Sequence, residues 1–311
     1  MFRGANRAPR SQGGCTAQFF LGVSRARPLG SETAENAALS SAIVLLWQCP
    51  NELSHVASSG IKRPQGGNWR AQARARVRRV TAIFITATGT DVGKTHVAAS
   101  LAGHFRKMGR RVAALKPVVS GFDPQVPENS DPAALLRALE LPATMENIER
   151  ISPWRFRAPL SPDLAARREG RRIDVDEVIA FCRSAVEERQ DILLIEGVGG
   201  IMVPLDGERT VLDVMMALRL PLILVTGSYL GTISHTLTAL DSLFHRDMDV
   251  LAVIVSETPG SSVPFEDTVA VIERFAEPVI ALPRRRQKSA SSGAAATPFD
   301  RLFNTMGERP R

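Results

Sequence analysis

The sequence predicts an α/β protein with a doubly wound, mostly parallel sheet of about seven strands and helices on both faces. Short runs of β-branched and other apolar residues alternate with helical stretches between residues 80 and 283. Such runs are typical of strands that are buried on both sides. We expect one domain there, because about 200 residues is a normal size for a single sheet of this kind.

Each predicted element has its own signal. Runs rich in Val, Ile and Leu predict strands at residues 80–86, 111–117, 191–197, 221–227, 250–256 and 278–282. The stretches between these runs predict helices at residues 93–108, 131–139, 175–189, 211–217, 232–244 and 265–275. Either Asp131 or Ser130 is a candidate cap for the second of these helices.

The positive charge is concentrated at the two ends of the chain. The net charge is +7 overall, +9 over residues 1–79 and +5 over residues 284–311, so residues 80–283 carry −7. An acidic body is a poor candidate for nucleic-acid binding, which needs a basic face or groove. Residues 1–79 are interpreted as a disordered or transit-like extension, or as a start assigned too far upstream. Residues 284–311 are interpreted as a low-complexity, disordered tail.

Cysteine usage and hydropathy exclude further classes. The three cysteines are odd in number and have no C-x-x-C spacing, which argues against a disulfide framework or a zinc site and favours the cytoplasm. The apolar run at residues 41–47 is too short to span a bilayer, so no membrane segment is expected. Four sulfur-containing residues are expected in the core: Cys182, Met202, Met215 and Met216.

The clearest motif is ITATGTDVGKTHVAAS at residues 85–100, where a strand runs through a glycine-containing turn into a helix. The usual phosphate-binding pattern G-x-x-x-x-G-K-[ST] requires a glycine where Thr88 stands. In this context backbone N–H groups face phosphate oxygens, Lys94 reaches the β and γ phosphates, and Thr95 can bind Mg²⁺. The alternative is a chance G-K-T, which the strand–turn–helix context makes the weaker interpretation.

The next strand ends in ALKPVVSGF, residues 114–122. In open α/β sheets ligands bind at the carboxyl ends of the strands, so Lys116 and Ser120 are expected to face the same crevice as the loop. A second lysine is useful there if two anions must be brought together. A single lysine after a strand is more often solvated, and that alternative stays open.

A carboxylate, Glu196, ends the otherwise apolar strand in DILLIEGVGG. A buried charge at such a position is costly unless it is paired or binds a metal. Together with Asp131 and the Thr95 hydroxyl, it supplies the hard oxygen ligands that Mg²⁺ prefers. For Asp131 considered alone, helix capping is the more frequent role.

Taken together, these motifs resemble the dethiobiotin synthetase family of P-loop NTPases, whose loop reads roughly G-T-[DG]-T-x-V-G-K-T. That loop corresponds to ATGTDVGKT at residues 87–95, one residue longer than the ordinary form. The other similar blocks are KPVVSG at 116–121, NSD at 129–131, PLSPDLAA at 159–166, EGVGGIMVPL at 196–205 and YLGTISHT at 229–236. They occur in the family's order over residues 80–283.

The resemblance implies a ligase of biotin biosynthesis that uses ATP to join CO₂, supplied from bicarbonate, to 7,8-diaminononanoate and close the ring to dethiobiotin. A carbamate and a carbamic–phosphoric anhydride would be intermediates. The implied catalytic residues are Lys94, Lys116, Thr90 and Ser120. The resemblance also implies a homodimer in which the partner's Tyr229 region holds the substrate carboxylate. The implied nucleotide contacts are Gly89, Thr90, Asp91, Val92, Gly93, Lys94, Thr95, His96, Glu196, Gly197, Gly199, Gly200 and Glu257.

Three residues depart from the family pattern. Ala87 replaces the first loop glycine, and because a Cβ restricts positive φ we expect an altered approach to phosphate. Asp163 stands where the family has a histidine. Glu257 stands where an asparagine helps to hold adenine, and a carboxylate cannot donate to a ring nitrogen.

Three histidines of the predicted domain carry no metal-binding signal, and three other functions remain as alternatives. For His96, His104 and His235 a structural role is favoured over metal binding, because none has a partner at ligand spacing. The rivals are a partitioning (ParA/MinD-like) ATPase, a corrinoid amidoligase and a non-catalytic nucleotide binder. The first would need a lysine where Gly89 stands, and the second usually has a further glutamine-hydrolysing domain, for which the region after 283 is too short.

Overall fold

The computed structural model describes residues 82–188, 190–284 and 299. The predicted extension at residues 1–79 lies outside this range, as does most of the predicted tail. Eight strands are described: β1 Ala82–Ala87, β2 Val112–Leu115, β3 Val118–Ser120, β4 Trp154–Phe156, β5 Ile192–Glu196, β6 Leu222–Gly227, β7 Val250–Ser256 and β8 Val279–Leu282. The same described residues form eight α-helices: α1 Lys94–Lys107, α2 Asp131–Ala138, α3 Met145–Ile151, α4 Pro162–Arg168, α5 Val175–Glu187, α6 Val211–Leu218, α7 Thr232–Phe244 and α8 Phe265–Glu273.

The main sheet is parallel throughout and has the strand order β2-β5-β1-β6-β7-β8. This confirms the predicted α/β class. The described residues give the sheet six strands rather than about seven. Strand β3 pairs in parallel with β4 in a separate two-stranded sheet. All six strands for which the sequence predicted residue ranges are present, and each begins and ends within two residues of its predicted ends.

The core explains the strand sequences. Every residue of β1, β5 and β6 is buried, as expected for parallel strands that are covered on both faces. The core also contains Cys182 and Met215, as predicted. The prediction was wrong for Met202, whose side chain is 54% exposed because it lies on the turn after the glycine-rich segment.

Local capping starts several of the helices. The Ser130 hydroxyl accepts the Ala133 N–H at 3.4 Å, so Ser130 rather than Asp131 caps α2. This leaves the Asp131 carboxylate available for another contact. Thr144 caps α3 in the same way, and Asp174 caps α5. In the described part of the chain, no helix combines the length and hydropathy needed to cross a membrane.

Candidate active site

Three neighbouring strands deliver the predicted site residues to one edge of the sheet. The strand order within the sheet places β5 between β2 and β1, so the segments after these three strands are adjacent. A cleft of about 740 Å³ lies at that edge. The predicted site residues that line it are Thr90, Asp91, Gly93, Lys94, Thr95, His96, Lys116, Ser120, Asp131 and Gly199.

The loop after β1 leads directly into α1. Gly93 is the N-cap of α1 and has φ +95°, a conformation that side chains with a Cβ rarely adopt. A Cβ at Gly93 would also lie 2.6 Å from Ser256 Oγ at the end of β7. Position 93 therefore needs glycine for both conformation and space. The first N–H groups of α1 lack partners within the helix and face the site as anion donors.

Lys94 is buried at the start of α1, with 6% of its surface exposed. Its ammonium donates to the Gly89 carbonyl at 2.9 Å, which folds the side chain back over the loop. Burial, followed by repulsion from Lys116, lowers the pKa of Lys94 to about 8, against the smaller attraction of Glu196 and Asp131. An anion such as a phosphate in the loop would supply the missing opposite charge.

Lys116 is equally buried but lies between two carboxylates. Its Nζ is 2.8 Å from Asp131 Oδ2 and forms a short ion pair with Glu196 Oε1. Burial alone would lower the pKa of Lys116, but the charges of Glu196 and Asp131 outweigh burial and raise it. The predicted alternative of a solvated lysine is therefore wrong, since Lys116 is only 3% exposed.

The predicted magnesium ligands converge around the same ammonium. Thr95 Oγ1 donates to Glu196 Oε1 at 2.6 Å, and that oxygen also contacts Lys116. A positive charge thus already lies among the three oxygen donors, Thr95, Asp131 and Glu196. Glu196 Oε2 is buried and has no hydrogen-bond partner among the described residues, which leaves it free to bind a cation. This donor set fits Mg²⁺, which takes one or two carboxylates together with phosphate and water. The described residues contain no group of three or more His, Cys, Asp or Glu side chains at metal-binding distance.

The glycines after β5 bring the GVGG segment close to the loop. A Cβ at Gly200 would lie 3.1 Å from the Thr88 carbonyl, and one at Gly199, which has φ +60°, would collide with Val203. The Ile201 N–H donates to the Ala87 carbonyl at 3.0 Å, joining the two segments. Gly197 and Gly200 are therefore near the site as packing residues, while Gly199 lines the cleft itself.

The chain matches the family model described as an AAA domain over residues 81–289. It is 48% identical over 206 residues to the ATP-dependent dethiobiotin synthetase BioD of Methylobacterium nodulans, covering 63% of this chain and 90% of that protein. The BioD protein of Caulobacter vibrioides is 45% identical over 213 residues, covering 68% and 95%. The BioD protein of Anaeromyxobacter dehalogenans is 34% identical over 218 residues, covering 68% and 95%.

The chain belongs to the ATP-dependent dethiobiotin synthetase family. The family assignment made from the sequence blocks is thereby confirmed, and with it the predicted class of ATP-using ligase. The partitioning ATPase and the corrinoid amidoligase are not favoured by these relatives.

Ala87, the first departure from the dethiobiotin synthetase loop, lies in the last position of β1. It is fully buried and is absent from the residues with positive φ. The expected conflict between its Cβ and a positive φ does not arise, because the backbone here is still that of a strand. The reason for expecting an altered approach to phosphate is therefore absent, and the effect of Ala87 on phosphate binding stays a prediction.

The other two departures have partners of their own. Asp163 Oδ1 accepts from the Ser161 hydroxyl at 2.6 Å, and Oδ2 pairs with Arg167 at 2.9 Å. Glu257 follows β7, and its Oε2 accepts the Arg284 N–H at 2.8 Å. Glu257 is not among the residues that line the cleft, and its contact with the nucleotide remains a prediction.

Sequence reasoning from the residues missed one wall of the cleft. Pro159, Leu160, Ser161 and Pro162 line it, in the loop between β4 and α4. Their only signal was the PLSPDLAA block of the family resemblance. Val198 and Val203 were also missed, because valines among glycines carry no chemical signal.

Proposed function

We propose that this chain is an ATP-dependent dethiobiotin synthetase that joins CO₂ to 7,8-diaminononanoate and closes the cyclic urea. The observation that carries the proposal is the pair of buried ammonium groups, Lys94 and Lys116, on one cleft that Thr95 and Asp131 also line. The third oxygen donor, Glu196, is bonded to Lys116 and Thr95. The reaction requires two anions, a carbamate and a triphosphate, to be held together.

The proposed steps balance without a further reagent. One substrate amine adds to the carbon of CO₂ and loses a proton, giving a carbamate. A carbamate oxygen then attacks the γ-phosphorus of ATP, and ADP leaves. The second amine attacks the carbonyl carbon of the resulting anhydride and loses a proton, and phosphate leaves as the ring closes.

The roles of the residues follow from their surroundings. Lys94 and the N–H groups at the start of α1 hold the phosphates at the loop. Lys116 keeps its proton because its carboxylate neighbours raise its pKa, so it stays charged to neutralise a carbamate or the γ-phosphate. Thr90 and Ser120 lie on the same cleft and can donate to anion oxygens. Catalysis by such a site is mostly positioning and charge neutralisation.

Thr95, Asp131 and Glu196 are the residues that would hold Mg²⁺. When bound, the ion neutralises charge on the β and γ phosphates. We also propose a homodimer. Two exposed apolar residues support it: Leu230, after β6, is 85% exposed, and Met202, directly after the glycine-rich segment, is exposed as well.

The test is phosphate release by the purified protein with ATP, Mg²⁺, 7,8-diaminononanoate and bicarbonate, with each component omitted in turn. We expect turnover only in the complete mixture, with dethiobiotin detected by mass spectrometry in equal amount to phosphate. ATP turnover that persists without the diamine and without bicarbonate would refute the synthetase and support an ATPase.

A further inference from the structure

A small second cavity lies beside the Glu196 carboxylate. It has a free volume of about 20 Å³, whereas one water molecule needs about 10–15 Å³ on this measure. The residues that line it are Phe84, Pro117, Val118, Val178, Cys182, Glu196, Gly197, Val198, Leu205, Val211 and Val214. All of them are buried except Val198, which is partly exposed.

The cavity and the main cleft share one wall. Val198 lines both of them, and Pro117 directly follows Lys116. An occupant of the cavity is thus one side chain away from the place where the anions are expected to react. Val198 is the lining residue past which a small molecule would move between the cavity and the cleft, because it lines both and is not fully buried.

The side chains that line the cavity indicate which kind of molecule it can bind. Apart from Glu196 and the Cys182 thiol, every lining side chain is purely hydrocarbon or absent. Burial raises the pKa of the Cys182 thiol to about 12, so it stays neutral. An ion such as bicarbonate would lose its hydration there without gaining a cationic partner, because no Lys, Arg or His is in the lining. Water normally needs two to four polar partners, and the side chains offer it a single strong one, Glu196.

We propose that this cavity binds CO₂ before the carbamate forms. This inference rests on the proposed function. CO₂ is linear, uncharged and without a dipole, and it is little wider than a water molecule, so the apolar lining suits it. The cavity stores the gas beside the cleft and releases it past Val198 to the substrate amine, where the C–N bond of the carbamate forms.

The first experiment fills the cavity from the side remote from the cleft. Cys182→Met and Val214→Leu add atoms from α5 and α6, and neither residue touches the cleft. We expect KM for CO₂ to rise by about threefold or more, because a three-atom ligand has few contacts to lose. The kcat at saturating CO₂ and the KM for ATP should stay within about twofold.

Two control variants separate filling from general disturbance. Cys182→Ala removes the sulfur without filling the space, so KM for CO₂ should not rise. Val186→Leu adds a methylene on the same helix at a residue that does not line the cavity, and it should leave KM for CO₂ unchanged. Equal increases in KM in Val186→Leu and Cys182→Met would overturn the proposal.

A structural readout does not depend on turnover. Crystals pressurised with CO₂, or with krypton as an apolar probe, should show density in the cavity of the parent protein and none in Cys182→Met. An ordered water at ambient pressure that survives pressurisation would overturn the inference. The two proposals fail differently. A parent protein whose phosphate release ignores CO₂ contradicts the synthetase, whereas CO₂-dependent turnover with unchanged KM in the filled variants contradicts the cavity alone.

Discussion

Lys94 and Lys116 are buried at the same cleft, but their surroundings shift their pKa values in opposite directions. Around Lys94, burial is the largest influence and a second lysine adds to it, so the pKa falls to about 8. Around Lys116, burial is again the largest single influence, but Glu196 and Asp131 outweigh it and the pKa rises. Lys94 donates a hydrogen bond to a backbone carbonyl, while Lys116 forms ion pairs with two carboxylates.

This difference indicates two kinds of lysine in one site. Lys94 is short of negative charge until a phosphate arrives, so the free loop is ready to bind an anion. Lys116 is satisfied without any ligand, and its partners are the carboxylates that we expect to bind Mg²⁺. The predictions below test this contrast, beginning with the largest expected effect.

Replacing either lysine should abolish activity while changing stability in different ways. We expect Lys94→Met and Lys116→Met each to lower kcat by about 10³-fold, since each removes a charge that faces the transferred phosphoryl group. Lys116→Met should also lose about 3 kcal/mol of stability, because it leaves two carboxylates unpaired. Lys94→Met should stay within about 1 kcal/mol, because it removes a charge that is buried at a cost. Phosphate release and urea unfolding without metal measure the two effects. Equal loss of stability in both variants would contradict the contrast.

Replacing Lys116 should increase the affinity for Mg²⁺ although it lowers the activity. Because the ammonium shares oxygens with the predicted Mg²⁺ ligands, Lys116→Met should bind Mg²⁺ about tenfold more tightly than the parent in the absence of nucleotide. Glu196→Gln, which keeps the shape and removes the charge, should bind it about tenfold more weakly. Calorimetric titration with MgCl₂ measures both. Unchanged affinity in Glu196→Gln would remove Glu196 from the proposed metal site.

The pH dependence of stability and of ATP affinity should report the protonation of Lys94. Its folded pKa of about 8 is below the ordinary value of 10.5, so between these values the unfolded state holds more protons and the stability of the ligand-free protein rises with pH. Lys116, with a raised pKa, contributes stability that is fully present below 10.5 and is lost only as pH rises through its raised value. ATP affinity should fall above pH 8 by up to about tenfold per pH unit as Lys94 loses its proton.

Lys94→Arg provides the control for that pH profile. A guanidinium stays charged throughout this range, so the decline in ATP affinity between pH 8 and pH 10 should disappear. The measurement is ATP binding by fluorescence or calorimetry over that range, in parallel with urea unfolding of the free protein. A decline of equal steepness in Lys94→Arg would assign it to another group.

The smallest effect is expected at Ala87. Since its backbone is extended, Ala87→Gly should not improve the loop, and kcat/KM should stay within about twofold. Stability should fall by about 1 kcal/mol, from added backbone freedom and the loss of a buried methyl group. Steady-state kinetics and thermal unfolding test this. A large gain in activity would show that the family's glycine has a role that the backbone geometry does not reveal.

The fold was predictable where the signals were long and repeated. Runs of buried apolar residues gave all six strands of the main sheet, and helical spacing gave α7 with both ends correct. The three-residue strands β3 and β4 were missed because VVS and WRF are too short to show a period. Helices α3 and α4 were missed although each has a start signal, the Thr144 cap and Pro162 in the first turn.

The sequence predicted which residues lie in the site, but it did not predict which of them form ion pairs with one another. Strand ends placed Lys116, Glu196 and the loop at one edge, which follows from the rule for open parallel sheets. The ion pair between Lys116 and Glu196 joins residues eighty positions apart, and no local pattern specifies such a contact. Hence the sequence indicated two lysines for two anions, but not that one of them is already paired with two carboxylates in the free protein.

The close approach of Gly93 to Ser256 ties the nucleotide loop to a strand on the other side of β6. These two positions must be engineered together. A loop transplanted from another protein will fit only if residue 256 remains small. Conversely, enlarging residue 256 would push on Gly93 at the start of α1 and displace the end of the loop. Redesign of nucleotide preference should therefore begin elsewhere along the cleft.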